Sequence, residues 1–556
     1  MKLKKVASLG LAVLMCGSTL ASCGKKEEKI DTPEHLEIKM IEAGNGSAMI
    51  KEAAKRFEEL NPGKTVEVVT TSTHDPAYSE VDWGPSLNTV DLYYTTGNYF
   101  TFVQKGQFTV DGQTYPCRYE SLDDVYENPA FGETVAIKDK IQQDFVDYFY
   151  NDPETSYFMP AVGDWTGLVY NAKMFETYDW DVPLTTDHMI EVCDKILATT
   201  AKSTNANSKG KDIKISPFTF SRDDSYWYYV YNQWWAQYDG LEAYNLYYEG
   251  KDINGRYTAD IHSSQGILNA MKVMETLLGT YYKDGDQVKA REKVYTDNAL
   301  TFRTYTDIQS TFLYAEEARI NPTGATTAAM MPNGAWLENE MSVNFAEEIA
   351  SGKISFKTMK TPVISAITDK TSFKGDDNLR ELIRWIDGGK VGEKPSFASD
   401  ADVKIVEEAR GIYRPQLGLV FLIPAYATAK DLAKDFLRFL YSNEGALIYA
   451  SATQGINLPI VGLDYSSANI SEFQKSKFEI INSPNARIML EPGSSPMAIS
   501  GGRLTAFETV EGARMEAVFS VSNPADFKPA NEIFLAKYEY AVKNWNTYMK
   551  NAGLLD

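Results

Sequence analysis

Apolar and polar positions first alternate at Leu36, Ile38 and Met40, with Glu37 and Lys39 between them, and a period of two marks a strand. Gly44-Asn45-Gly46-Ser47 interrupts it. Ile50, Ala53, Ala54, Phe57 and Leu60 then fall three and four apart, on one face of a helix that Asn61-Pro62-Gly63 closes. Val66, Val68 and Thr70 alternate again, so strand, helix and strand predict a βαβ unit: a parallel sheet with helices packed on it. Asp91-Leu92-Tyr93-Tyr94 reads as the next buried strand, opening into a Thr95-Thr96-Gly97-Asn98 loop. Far downstream, Gly418 to Pro424 is an apolar run of strand length. A helix follows it, with Leu432, Phe436, Phe439 and Leu440 on one side and Lys430, Lys434 and Arg438 on the other. Ser442-Asn443-Glu444-Gly445 stops or bends that helix. Between these regions lie an aromatic-rich middle and a polar insertion near residues 365–402, expected to be a surface excursion. No fixed-period repeat is present, which excludes solenoids and propellers.

The N-terminus follows a different pattern. Lys2, Lys4 and Lys5 precede a short apolar stretch, Leu9 to Leu20, and Leu20-Ala21-Ser22-Cys23 closes it with small residues. A transmembrane helix needs about 20 apolar residues, more than this stretch supplies before the charged run Lys25-Lys26-Glu27-Glu28. The ending resembles a bacterial lipobox; an ordinary export signal that ends beside a cysteine is the alternative. The resemblance implies a signal peptide over residues 1–22 and a mature N-terminus at Cys23 carrying acyl chains, palmitate among them. Residues 23–35 are then a lipidated tether. Each buried methylene adds about 0.8 kcal/mol, so two or more chains anchor stably. The expected location is the extracytoplasmic face of the cell membrane, reached through the lipid alone.

Composition bounds the body behind the tether. A chain of 556 residues exceeds what one core usually serves, so two or more lobes are expected. A net charge of -21 repels nucleic acid and anionic lipid and argues against both as ligands. Beyond the signal region only Cys117 and Cys193 remain, either as a disulfide or as two buried thiols. The four histidines form no metal-ligand spacing, and Asp284-Gly285-Asp286 lacks the other ligand positions of an EF-hand-type loop. Gly44-x-Gly46 lacks the third glycine of a dinucleotide fingerprint, and no nucleophile elbow or zinc-protease motif is present. Neither a metal nor a cofactor is expected.

Several segments in order resemble the extracellular solute-binding proteins, family 1 and maltose-binding-protein-like, that serve carbohydrate ABC transporters. They are Arg56-Phe57-Glu58-Glu59-Leu60-Asn61-Pro62-Gly63, Val90 to Tyr94, Met159-Pro160-Ala161-Val162 with Gly167 to Phe175, Met331 to Leu337, and Leu432 to Leu440 with Glu444-Gly445 after it. The resemblance runs from about residue 36 to about residue 460. It implies an α/β fold of the periplasmic-binding-protein type II kind, two α/β lobes joined by a hinge with a ligand cleft. The N-terminal lobe would span 36–162 and 418–462, and the C-terminal lobe 163–417 and 463–556. It further implies a non-enzymatic, monomeric receptor that captures a carbohydrate, expected to be an oligosaccharide, and delivers it to permease subunits. A surface glycoside hydrolase, or a binder of peptide on the same fold, is the competing reading; the former needs two carboxyls about 5–9.5 Å apart.

Sugars present flat apolar faces edged by hydroxyls, so a site for them needs aromatic plates together with amides, carboxylates and guanidinium groups. The dense cluster Tyr226-Trp227-Tyr228-Tyr229-Val230-Tyr231, followed by Trp234 and Trp235, supplies plates. Trp227 and Trp234, seven apart, share a helical face and are chosen from it, against plain packing. Trp336 in Asn333-Gly334-Ala335-Trp336 resembles the loop that supplies a stacking tryptophan in maltose-type binders. Asp164 and Trp165 sit at the first crossover, where the resembling proteins place an acidic residue in the cleft. Asn45 and Ser47 lie in the first strand-to-helix turn and Asn98 in the loop after the Asp91 strand, at carboxyl strand ends where open α/β sheets bind ligands. For Ser47 simple N-capping competes. Arg503, after Ser500-Gly501-Gly502, is the last candidate, against a surface salt bridge.

Overall fold

The computed structural model describes residues 30–42, 44–73, 76–96, 106–149, 156–202, 210–221, 226–301, 303–313, 326–416, 418–452, 456–466, 470–490, 509–510 and 513–555. Two separate sheets carry two lobes. The strands are, in chain order, β1 (His35–Ile41), β2 (Thr65–Thr71), β3 (Leu92–Thr96), β4 (Met159–Pro160), β5 (Trp165–Tyr170), β6 (Thr200–Lys202), β7 (Asp212–Phe218), β8 (Thr326–Gly334), β9 (Lys357–Met359), β10 (Ile412–Pro415), β11 (Leu419–Leu422) and β12 (Arg487–Ile488). The first sheet has the order β2-β1-β3-β11-β4. Within it β1 is parallel to β2 and β3, and β11 runs antiparallel to β3 and β4. The second has the order β12-β10-β5-β8-β7-β6, with β9 also pairing with β5.

The predicted βαβ unit is present: the helix α1 (Ala48–Leu60) joins β1 to β2, whose register pairs Ile38 with Val68. Its apolar stripe, Met49, Ile50, Ala53, Ala54 and Phe57, is buried. β1 is buried almost throughout, Glu37 included, because both faces of a parallel sheet are covered. Glu37 is accommodated by local bonds: its N–H donates to Asp91 Oδ2 at 3.0 Å and its carboxylate accepts from the Thr89 hydroxyl at 2.6 Å. The amphipathic helix α2 (Lys430–Leu440) buries Leu432, Phe436, Phe439 and Leu440, and Phe436 meets Phe57 edge to face at 5.4 Å. Each such fully buried side chain contributes about 1.5–3 kcal/mol relative to exposure. At Tyr441 and Ser442 the chain bends, and a new helix starts at Asn443.

Residues 365–402 depart from expectation. They are not a surface excursion but a packed helical unit, with a long helix over Asp376–Asp387 and the start of another, Asp400–Gly411. Leu379, Leu382, Ile383 and Ile386 enter the core of the second lobe. The second helix opens with a capping box between Ser399 and Asp402, and Asp402 also accepts from the N–H and hydroxyl of Ser372, tying the two ends of the unit together. Cys117 and Cys193 are both free and buried. Asp284-Gly285-Asp286 forms the turn of a two-stranded hairpin, with Gly285 in the left-handed region.

The chain passes from β4 to β5 and from β10 to β11, and these crossings are stitched to each other. Ala161 N–H donates to Leu419 O at 2.9 Å, Gln416 N–H to Asp164 O at 2.6 Å, and Gly163 N–H to Asn457 O at 2.8 Å. Three chain segments, those holding Gly163, Gln416 and Asn457, thus cross here side by side, joined by single bonds rather than by a continuous sheet, and make a hinge.

Candidate ligand-binding cleft

The carboxyl ends of β1 and β3 point toward the second lobe, and the turn after β1, Gly44 to Ser47, meets the junction where β8 runs into a helix, α3 (Leu337–Ala350). Trp336 stands at that junction, partly exposed. Its indole lies against the backbone of Gly334, where a Cβ would fall 2.2 Å from the ring, so glycine at 334 is what permits this orientation. Gly44 closes the other end, its Cα facing Trp336 Cβ and Cδ1. Tyr226 and Tyr229 present their rings edge-on to Trp336 at 5.6 and 6.1 Å, and stack on each other at 5.1 Å. Tyr226 has φ 53, a left-handed backbone that a bulky residue adopts at a cost of about 1–3 kcal/mol and that clusters at functional sites.

Polar groups converge from the crossovers. The Arg414 guanidinium, at the end of β10, sits 4.6 Å from the Tyr229 ring centre and 5.3 Å from that of Tyr228, a cation–π arrangement. Asn45 is buried; its Nδ2 donates to the Tyr94 hydroxyl at 3.3 Å and its Oδ1 accepts from Gln416 Nε2 at 3.4 Å. Gln416 Oε1 is buried without a hydrogen-bond partner among the described residues, an acceptor left for a donor to fill. A small neighbouring pocket lined by Tyr226, Gln309, Asn333 and Glu340 extends this polar edge.

The structure thus brings together Trp336 and Asn45, with Ser47 beside them in the same turn. Ser47 occupies the N-cap position of α1 but makes no capping bond; its hydroxyl donates to Glu42 Oε1 at 2.8 Å. The other candidates lie elsewhere. Trp227 and Trp234 are fully buried in the core of the second lobe: Trp227 packs on Phe218 and Phe220, and Trp234 donates to Pro362 O at 3.1 Å. The helix begins only at Tyr228 and is buried nearly all round, so a shared face there is a core face. Trp165 is likewise fully buried. Asp164 is no open cleft acid; its Oδ2 pairs with Lys477 Nζ at 2.9 Å, both side chains fully buried, and its Oδ1 accepts from Trp165 N–H at 2.8 Å. Burial pushes the Asp164 carboxyl up, against the Lys477 charge. Asn98, Arg503 and Cys23 lie outside the described residues.

Arg414, Gln416 and the tyrosines 226, 228 and 229 were not singled out from sequence. A usable signal existed: Arg414 and Gln416 are polar residues inside the otherwise apolar run that leads from Ile412 to Ile423.

No family model matches the chain, and no curated protein matches it. Solved structures do. The apo form of RafE from Streptococcus pneumoniae is 14% identical, with 95% of this chain and 99% of that one covered at a TM-score of 0.52. The GacH receptor of Streptomyces glaucescens, solved unliganded and with acarbose, is 14% identical over 95% of this chain and all of that one, TM-score 0.52. The ABC substrate-binding protein Lmo0181 from Listeria monocytogenes, in complex with cycloalternan, is 12% identical over 93% and 100%, TM-score 0.52. The chain therefore has the two-lobed α/β fold of ABC-transporter solute-binding proteins.

Proposed function

We propose that this protein is a receptor, not an enzyme, that captures an extracellular carbohydrate in the cleft between its lobes and passes it to the permease of an ABC importer. The observation that carries the reading is the partly exposed Trp336, framed by Tyr226 and Tyr229, with Arg414 over the Tyr229 ring and the bonded amides of Asn45 and Gln416 at the turn beside Gly44. An indole face suits the apolar face of a pyranose, and the amides and guanidinium suit its hydroxyls. The unfilled Gln416 Oε1 accepts from one such hydroxyl. Binding of acarbose and cycloalternan by proteins of this fold supports the same ligand class, and their oligomeric ligands support an oligosaccharide. The lipobox-like ending at Cys23 supports a protein tethered by lipid to the extracytoplasmic face of the membrane, which keeps captured sugar near its importer.

Titration calorimetry against a panel of malto-, raffinose-type and xylo-oligosaccharides tests the ligand class. Saturable heat with at least one, lost in Trp336→Ala, is expected; silence across the panel overturns it. Cys23→Ser is expected to move the protein from the membrane fraction to the medium while it binds sugar normally.

A further inference from the structure

The turn after β1, a strand of the first sheet, meets α3, which follows β8 of the second, and the chemistry of the contact is specific. Asn339 Nδ2, in the first turn of α3, donates to the Gly44 carbonyl at 2.7 Å. A Cβ at Gly44 would lie 2.6 Å from Glu340 Oε1 and 3.1 Å from Trp336 Cβ and Cδ1. Glu340 is itself held, its Oε2 accepting from Gln309 Nε2 at 2.5 Å, so it has little freedom to retreat. One residue on, Gly46 has φ +69 and lies beneath the Asn339 amide, where a Cβ would sit 3.2 Å from Nδ2. Both glycines therefore have a reason to be glycine: one for close approach, the other for a left-handed turn packed under Asn339. Between them stands Asn45, whose side chain is fixed by Tyr94 and Gln416.

We propose that Gly44 and Asn339 form an interlobe latch, in which Asn339 grips the turn by a backbone carbonyl and so holds Asn45, the next residue of that turn, in place when the cleft closes. This deepens the receptor reading and rests on it for its purpose, since a closed form is favoured only by contacts the open form lacks. Asn339 is a positioning residue: it acts through the turn that carries Asn45.

The test needs no sugar. In a protein carrying Cys23→Ser and Glu340→Ala, the latter removing the carboxylate that a Cβ at Gly44 would meet, Gly44→Cys and Trp336→Cys are introduced together. Their Cβ atoms lie 3.1 Å apart, and a disulfide needs about 3.8 Å, a gap closed by a shift of a few tenths of an ångström. The native Cys117 and Cys193 are buried and serve as the thiol baseline. Under mild oxidation the pair is expected to lose two free thiols and to show a smaller radius of gyration by X-ray scattering than its reduced form. Adding Asn339→Ala is expected to slow disulfide formation about 3- to 10-fold, the equivalent of one neutral hydrogen bond, with an unchanged melting temperature in the reduced state. Thiols that stay free, or a rate indifferent to Asn339→Ala, overturn the latch. A failed sugar panel leaves this result standing, so the two readings fail separately.

Discussion

Trp336 is fixed from two sides by glycines, and that makes its surroundings unusually sensitive to single methyl groups. Gly334→Ala places a carbon where the indole lies, so the ring must rotate off its seat. Sugar affinity is expected to fall about 2- to 10-fold, the share of an aromatic contact that depends on orientation. Trp336→Ala, which removes the plate itself, should cost about 2 kcal/mol or more of binding, as buried aromatic anchors do. Calorimetry on both variants separates loss of the plate from loss of its pose. A second residue answers to pH. Glu338, on α3, is buried, and burial pushes its carboxyl up to about 7, against the Ser471 hydroxyl and the Lys477 charge. The folded state therefore holds this proton more tightly than the unfolded chain. Stability from the group is full below the ordinary carboxylate range and is lost as pH rises toward 7, a change of about 3 kcal/mol at most. Glu338→Gln should flatten that part of the profile, read as the difference in urea midpoint between pH 4.5 and pH 7.5.

Among elements, the segment over residues 365–402 shows what composition conceals. Its charges and glycines read as a surface loop, yet Leu379, Leu382, Ile383 and Ile386 repeat three and four apart, and the helix lays that stripe into the second core. Leu382→Ala is expected to cost about 2–5 kcal/mol, read by denaturant unfolding; a surface excursion would cost almost nothing. Elements with one wet face were legible: α1 and α2 left a period that matched their burial. The aromatic helix Tyr228–Asp239 was not, because it is buried on nearly every side and burial all round leaves no preferred face to read. Choosing Trp227 and Trp234 by shared face therefore selected core residues. The rings that frame Trp336 belong to Tyr226, before the helix, and Tyr229, in its first turn, where a left-handed residue redirects the chain. Backbone conformation of that kind has no signature in a run of aromatics.

For the molecule as a whole, the crossings between the lobes are anchored by an ion pair that no local pattern announces, since Asp164 and Lys477 lie 313 residues apart. Asp164 sits in the first crossing; its carbonyl accepts from Gln416 N–H in the second, and Gly163 beside it donates to Asn457 in the third. Lys477 comes from the helix Glu472–Ile481, so the pair pins that helix to all three crossings at once. Buried pairs of this kind are weak evidence for stability as such, because desolvation offsets much of the attraction. Their value is then in where they place the strands. The two ideas separate by substitution. Asp164→Ala leaves Lys477 charged and buried with its hydrogen-bonded partner removed, and should cost about 3–5 kcal/mol. Asp164→Leu combined with Lys477→Met removes both charges and should recover most of that stability. If the pair also sets hinge geometry, the apolar double variant will unfold near the wild-type midpoint and still differ from it in radius of gyration or in the rate of cleft cross-linking. A double variant indistinguishable from wild type in both would reduce Asp164 and Lys477 to interchangeable core filler, and would leave the backbone bonds between the crossings as the hinge's sole organisers.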